Sequence, residues 1–266
     1  MKKIISIIVF VSCVFTQAAA QEKDVFKIDW VTDGIIIGSV ITVNAAGFLL
    51  EDKTSQEMPG LLSVDTINTF DRWSAFPYSK AADVTSDIFQ YASFLLPAVL
   101  FTTGMDQWIT IGVMYAEASL LSFGLKNVGK SMINRYRPYN YFPGAPEQED
   151  NDFVKSHPSG HTTMAFTGAA FASYTFSQYF PDSPWKIPVI AGSYVLAGTT
   201  AALRIKSGSH FFSDVLSGAV IGTLSGFLIP YIHKAEKKIN EALSKNSEIE
   251  YSFALNPSYC SFSLKF

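Results

Sequence analysis

TTMAFTGAAFASYTFSQYF, residues 162–180, carries no charge over 19 positions and alternates large apolar side chains with Gly168, Ala169, Ala170 and other small residues. A run of this length and composition is a helix buried all round, either in a bilayer or in the middle of a bundle. Its small residues let neighbouring helices approach closely. Five further runs share the pattern: Gly34 to Leu50, Phe89 to Met105, Trp108 to Leu125, Ile187 to Leu203 and Val215 to Ile232. Together they predict an all-α, six-helix bundle. Five of the six runs lack charges and are just long enough to span a bilayer, which favours transmembrane helices over a soluble bundle. Glu117 is the exception, and inside a membrane it should face the bundle interior.

The rest of the 266 residues fits one domain built on these helices. Hydrophobic residues make up 48% and charged ones 16%, apolar for a soluble enzyme and polar for a dense transporter, which leaves both a membrane protein and a compact helical protein open. The net charge of −3 and the lack of a nucleic-acid motif exclude a nucleic-acid partner. Residues 1–20 read as an export signal: Lys2 and Lys3, an apolar stretch from Ile4 to Phe15, then Ala18-Ala19-Ala20. Cys13 leaves with that signal, so Cys260 has no intrachain partner. Residues 21–88 read as the first helix followed by loops and short interfacial helices, and residues 89–232 as the functional core. Residues 233–266 read as an amphipathic helix from His233 to Ser244 and a β-hairpin-like tail turning at Asn256-Pro257-Ser258. Two strands cannot close a barrel.

Three polar islands interrupt the apolar pattern. HPSGHTT, 157–163, stands directly before the run quoted above. Pro158, Ser159 and Gly160 suit a helix start, where free N–H groups and the helix dipole favour an anion, and the Ser159 hydroxyl can donate to a phosphate oxygen. KNVGKSMINRYRP, 126–138, ends the third run with four basic residues and no acid. Lys130 and Arg137 are near two helical turns apart, and Pro138 stops a helix at Arg137. LRIKSGSHFFSD, 203–214, lies between the last two runs. His210 and Asp214 are four apart, so a helix starting near Phe211 would let the carboxylate hold one imidazole nitrogen and leave the other free. Each island has an ordinary structural explanation alone: a turn, a topology signal, a buried hydrogen bond.

In combination they are specific. Lys130 with six residues before Arg137-Pro138, then Pro158-Ser159-Gly160-His161, then Arg204 with five residues before His210 and three before Asp214, resemble the signature motifs of the phosphatidic acid phosphatase type 2 and vanadium haloperoxidase superfamily. The resemblance covers about residues 89 to 232. It departs at Leu203, where the family often has Ser. It implies that Lys130, Arg137, Ser159, Gly160 and Arg204 cradle a phosphate and that His210 attacks phosphorus to form a phosphohistidine. Asp214 would fix the His210 tautomer, and His161 would protonate the leaving alkoxide and then activate water. No metal or cofactor is implied. His157 has at most a supporting place behind the site, and His233, past the last run, reads as a surface residue.

The substrate class implied is a phosphate monoester or pyrophosphate of a membrane lipid, hydrolysed in the bacterial envelope by an inner-membrane enzyme. A soluble exported acid phosphatase shares the same motifs. So does a vanadium-dependent haloperoxidase, for which this chain is short. The resemblance implies a site facing the periplasm. A cleaved signal followed by a spanning first helix implies the cytoplasmic face instead. The acidic loop with Glu147, Glu149, Asp150 and Asp152 reads as solvated, with a gate over the site as the alternative.

Overall fold

A computed structural model of the chain describes residues 25–51, 60–146, 152–245, 250–256 and 259–265. The predicted export signal and Cys13 lie outside these residues. Six helices form the body: α1 (Trp30–Leu50), α2 (Lys80–Phe94), α3 (Trp108–Met132), α4 (Gly160–Tyr179), α5 (Lys186–Lys206) and α6 (Phe212–Lys245). Strands β1 (Glu250–Asn256) and β2 (Tyr259–Lys265) pair antiparallel as the expected C-terminal hairpin.

Helix α4 is the axis, packed against α2, α3, α5 and α6. Thirteen of its 20 residues are buried, including Ala165, Ala169, Phe171 and Phe176 with no exposed surface. Its small residues match small residues on its neighbours. Gly218, Gly222 and Gly226 repeat every four residues along α6, and a Cβ at each would collide with the carbonyl oxygens of Ser159, Thr163 and Thr167 respectively. One α6 ridge of glycines therefore lets two backbones touch. Phe171, Phe176 and Tyr179 then pack with Met114 and Ala118 of α3 and with Ile36 and Val40 of α1.

The other five helices, with the short 3₁₀ turns continuing α2 and preceding α3, are long and apolar enough to cross a membrane. Their outward faces carry Ile41, Phe48, Ile88, Leu95, Ile109, Ile187 and Val195 largely exposed. An apolar belt of that size is stable in lipid rather than water, so the chain is a membrane protein with α4 enclosed by its own bundle.

Four expected boundaries are corrected. The second helix begins at Lys80, nine residues before the uncharged run, because Ser79 caps it by accepting from the Ala82 N–H. Its α-helical part ends before Pro97, and a 3₁₀ helix over Leu96–Thr102 continues it. The third helix stops at Met132 rather than at Arg137. The last apolar run and the amphipathic segment after it form one 34-residue helix that continues through Pro230.

Candidate active site

The ends of α3 and α5 and the starts of α2, α4 and α6 meet at one end of the bundle. Past Met132 the chain runs extended. Arg135 N–H donates to the Val154 carbonyl at 2.7 Å, and Arg137 N–H donates to the Phe153 carbonyl at 2.9 Å. This pairing, rather than a continuing helix, brings Arg137 next to Lys130. On the other side, Gly208 turns the chain between α5 and α6 with φ +71°. A Cβ there would meet the Phe76 and Pro77 carbonyls, so the turn delivering His210 is held against the strap before α2.

Lys130, Arg137, Gly160, His161, Arg204 and His210 all line a cavity of about 340 Å³, whose wall also includes Gln90, Lys126, Asp152, Phe123 and Met164. A second hollow of about 260 Å³ shares Arg137, Asp152, His161 and Arg204 and is closed by Tyr78, Asp83, Asp87 and Tyr139. The three sequence islands thus converge on one basic pocket.

His210 is almost wholly buried. Its Nδ1 lies 2.7 Å from the Ser156 carbonyl oxygen. A carbonyl only accepts, so Nδ1 carries the proton and Nε2 presents its lone pair. Nε2 faces the Arg137 Nη1 donor at 3.3 Å. Burial, together with Arg137, Arg204 and Lys130, drives the His210 pKa well below the ordinary imidazole value, so this ring is neutral.

Asp214 does not hold this imidazole directly, contrary to the sequence expectation: its Oδ2 is 4.0 Å from His210 Nδ1. It lies in the first turn of α6 and takes the Phe211 N–H at 2.8 Å. It also accepts from the Ser156 hydroxyl at 2.6 Å, Arg135 Nη1 at 2.6 Å and His157 Nδ1 at 3.1 Å. The carboxylate therefore fixes the segment whose carbonyl fixes His210. Arg135 in turn bonds Asp71 at 2.7 Å. Burial alone would raise the Asp71 carboxyl, but bonds from Ser213 and Arg135 hold it below its usual value.

The residues expected to cradle a phosphate come together with one exception. Lys130 Nζ donates to the Lys155 carbonyl at 2.7 Å and Gly160 leaves room for Lys126. Ser159 departs from expectation: it is fully buried, and its hydroxyl bonds the Thr162 hydroxyl at 2.9 Å. As the N-cap of α4 it is used by its own helix.

Acidic residues missed by sequence reading hold the basic ones. Asp152 accepts from Arg137 Nη2 and Nε, through its carboxylate and its carbonyl, at 2.7 Å each. Burial opposes ionisation of Asp152, yet Arg137 and Lys130 outweigh it and keep this carboxyl below its ordinary pKa. Glu147, Glu149 and Asp150 of the same loop lie outside the described residues. Asp83 pairs with Arg204 Nη1, which also donates to the Ser86 hydroxyl at 3.1 Å. Arg204 Nε is buried with no hydrogen-bond partner among the described residues. Asp87 accepts from His161 Nε2 at 2.8 Å. Both aspartates precede residue 89, the expected start of the core, and only a helix beginning at Lys80 puts them one turn apart facing the pocket. His157 stands behind the site as expected. His233 does not lie on the surface but is fully buried.

Residues 109–238 match the model of the PAP2 superfamily. The chain is 36% identical over 121 residues to lipid A 1-phosphatase of Porphyromonas gingivalis, a match covering 46% of this chain and 23% of that relative. It is 29% identical over 158 residues to phosphatidylglycerophosphatase B of Bacillus subtilis, covering 56% of this chain and 73% of the relative. Among solved structures it is similar to Aquifex aeolicus LpxE, with a TM-score of 0.42 and 23% identity over 63% of this chain and 98% of the other. The motif residues gathered in this one pocket all lie in the stretch from α3 into α6 that the PAP2 superfamily model matches.

Proposed function

We propose that this protein is a phosphatase that hydrolyses phosphate monoesters or pyrophosphates of membrane lipids through a phosphohistidine on His210, without a catalytic metal. The observation that carries this reading is the His210 ring. Its Nδ1–H is engaged by Ser156 and its Nε2 lone pair is presented to a pocket of guanidinium and ammonium groups. That is a buried, neutral nucleophile facing a site for a dianion.

In the reaction, Nε2 attacks phosphorus and the bond to the ester oxygen breaks. Arg137 moves its N–H from Nε2 to a phosphate oxygen. Arg204, with its unpartnered Nε, and Lys130 neutralise the charge on the other non-bridging oxygens. Burial and the charges of Arg204, Arg137 and Lys130 hold the pKa of His161 down to about 2, so the ring gains a proton on Nδ1 only as the substrate dianion enters and offsets those charges. Held through Nε2 by Asp87, it passes that proton to the departing alkoxide. It then takes a proton from the water that cleaves the P–N bond, releasing phosphate and restoring His210. Asp83 and Asp152 occupy the arginines until the phosphate replaces them. Asp214 is a positioning residue.

Lipid as the substrate class is supported by where the cavity opens. Its wall includes Phe123, 43% exposed on α3, and the neighbouring hollow includes Tyr91, 63% exposed on α2. Both belong to the apolar belt, so an acyl chain can stay in the bilayer while its phosphate enters. We place the site on the periplasmic face. With Cys13 and Cys260 replaced, a cysteine at Ala145 should react with a membrane-impermeant maleimide in intact cells. Labelling only after lysis would put the site in the cytoplasm.

The deciding experiment is rapid quenching in alkaline detergent with ³²P-labelled lipid phosphate. An acid-labile, base-stable label should appear on the wild type and be absent from a folded His210→Ala protein, which should also release no phosphate. Substantial turnover by His210→Ala would remove the covalent mechanism.

A further inference from the structure

At the other end of the bundle, α1, α3 and α6 each contribute one buried ionisable side chain to a single point. Asp33, Glu117 and His233 are 4%, 4% and 0% exposed. His233 Nδ1 lies 2.8 Å from the Ile229 carbonyl, so it carries the proton and Nε2 presents a lone pair. That nitrogen lies 3.3 Å from Asp33 Oδ1 and 3.6 Å from Glu117 Oε2. Asp33 Oδ2 is taken by the Asp29 N–H at 2.7 Å, which leaves Oδ1 for the cluster. Among the described residues no hydrogen-bond donor reaches either oxygen of Glu117. Three acceptors thus converge in an apolar interior, and an uncompensated arrangement of that kind is costly.

We propose that Asp33, Glu117 and His233 bind a divalent transition metal, with zinc as the best fit. The three donor atoms lie within 4.8 Å of one another. Tetrahedral zinc with bonds of about 2.1 Å has ligand-to-ligand edges of about 3.4 Å. The two measured edges from Nε2, 3.3 and 3.6 Å, bracket that value. Two carboxylates and a neutral imidazole balance a 2+ ion, so the occupied cluster is uncharged where charge is most expensive. The imidazole disfavours Mg²⁺ and Ca²⁺, which take oxygen ligands. The Nδ1–H bond to a backbone carbonyl is the support that metal-bound histidines ordinarily have.

The ion would not belong to the phosphate pocket. His233 lies 19 residues beyond Asp214 on α6, roughly 28 Å at 1.5 Å per residue. Its role is to tie α1, which already packs along α3, to α3 and α6 at a single buried point.

The test uses the full chain purified in detergent without chelator. Elemental analysis should find about one zinc per chain. After chelation, Co²⁺ should restore one equivalent with the visible d–d absorption of a four-coordinate N/O site. Glu117→Gln and His233→Gln should each lose at least about tenfold in affinity and the d–d bands. Chelation should lower the unfolding temperature while leaving the initial rate of phosphate release unchanged, which separates this ion from a catalytic one. A wild-type protein with no bound metal and no Co²⁺ spectrum would overturn the proposal, whether or not the variants fold. So would a Glu117→Gln or His233→Gln protein that keeps its full equivalent. The cluster would then hold a shared proton instead.

Discussion

His210 Nδ1 donates to the carbonyl oxygen of Ser156 at 2.7 Å, while Asp214, the carboxylate four residues on, stands 4.0 Å away. The carboxylate acts on the Ser156 hydroxyl and on the Phe211 N–H, one step removed from the imidazole. Asp214→Asn should therefore keep the His210 tautomer and lower kcat by roughly 10²-fold through misplacement, with KM little changed. The acid limb of kcat/KM should stay where it is in the wild type. A shift of that limb by a full pH unit would show that Asp214 interacts with the imidazolium directly.

The depressed pKa of His210 has a consequence for stability. Above about pH 6.5 the ring is neutral in both folded and unfolded chains and contributes nothing. As pH falls below 6.5 the unfolded chain takes up a proton that the folded one refuses, so stability falls by up to about 1.4 kcal/mol per pH unit. Asp152 contributes in a lower window, since its folded pKa lies below its ordinary value. Its stabilisation is present above the unfolded carboxyl pKa and is lost only as pH drops through the folded one. Between pH 6.5 and 4.5, then, His210→Asn should flatten the dependence of unfolding temperature on pH. Parallel curves for the two proteins would mean that His210 titrates normally.

What was legible in the sequence followed from local chemistry. Uncharged runs of helical length located the bundle, and the motif resemblance carried by Arg137, His161 and His210 implied the pocket. What was hidden depended on partners distant in the chain. Asp83 and Asp87 looked like charges in a loop because the helix that carries them starts before the apolar run. Asp152 looked like one acid among four in a solvated loop, yet only the Arg137 fork 15 residues away gives it a role. Arg135 sat in the quoted basic island without an assignment, although it is the residue that ties Asp71 to Asp214. His233 looked exposed because it follows the last run, and its burial is visible only once α1 and α3 pack against α6.

The pairing of His161 with Asp87 predicts a dependence on the leaving group. A general acid matters most when the departing alkoxide is a strong base and least for p-nitrophenolate. His161→Ala and Asp87→Asn should each lower kcat by about 10²-fold on alkyl phosphates. On p-nitrophenyl phosphate both should release one equivalent of p-nitrophenol in a burst and then turn over slowly, because water still needs a base to cleave the P–N bond. Phosphohistidine should accumulate in that phase. Equal losses on both substrates without a burst would assign His161 to phosphate binding alone.

The contact between α4 and α6 sets how closely the His161 and Asp214 ends of those helices can sit. At Gly222 a Cβ would strike the Thr163 carbonyl and come within 2.9 Å of the Thr167 nitrogen, and backbone cannot rotate away as a side chain could. Gly222→Val should force the helices apart, costing about 1–3 kcal/mol of stability. It should also reduce activity beyond what its unfolding temperature explains, because both ends of the pocket move. Gly192 on α5 has nothing within 4 Å of its Cβ position. Gly192→Val should therefore leave activity intact and change stability little. If the two substitutions behave alike in thermal unfolding and phosphate release, the glycine ridge is not what positions the site.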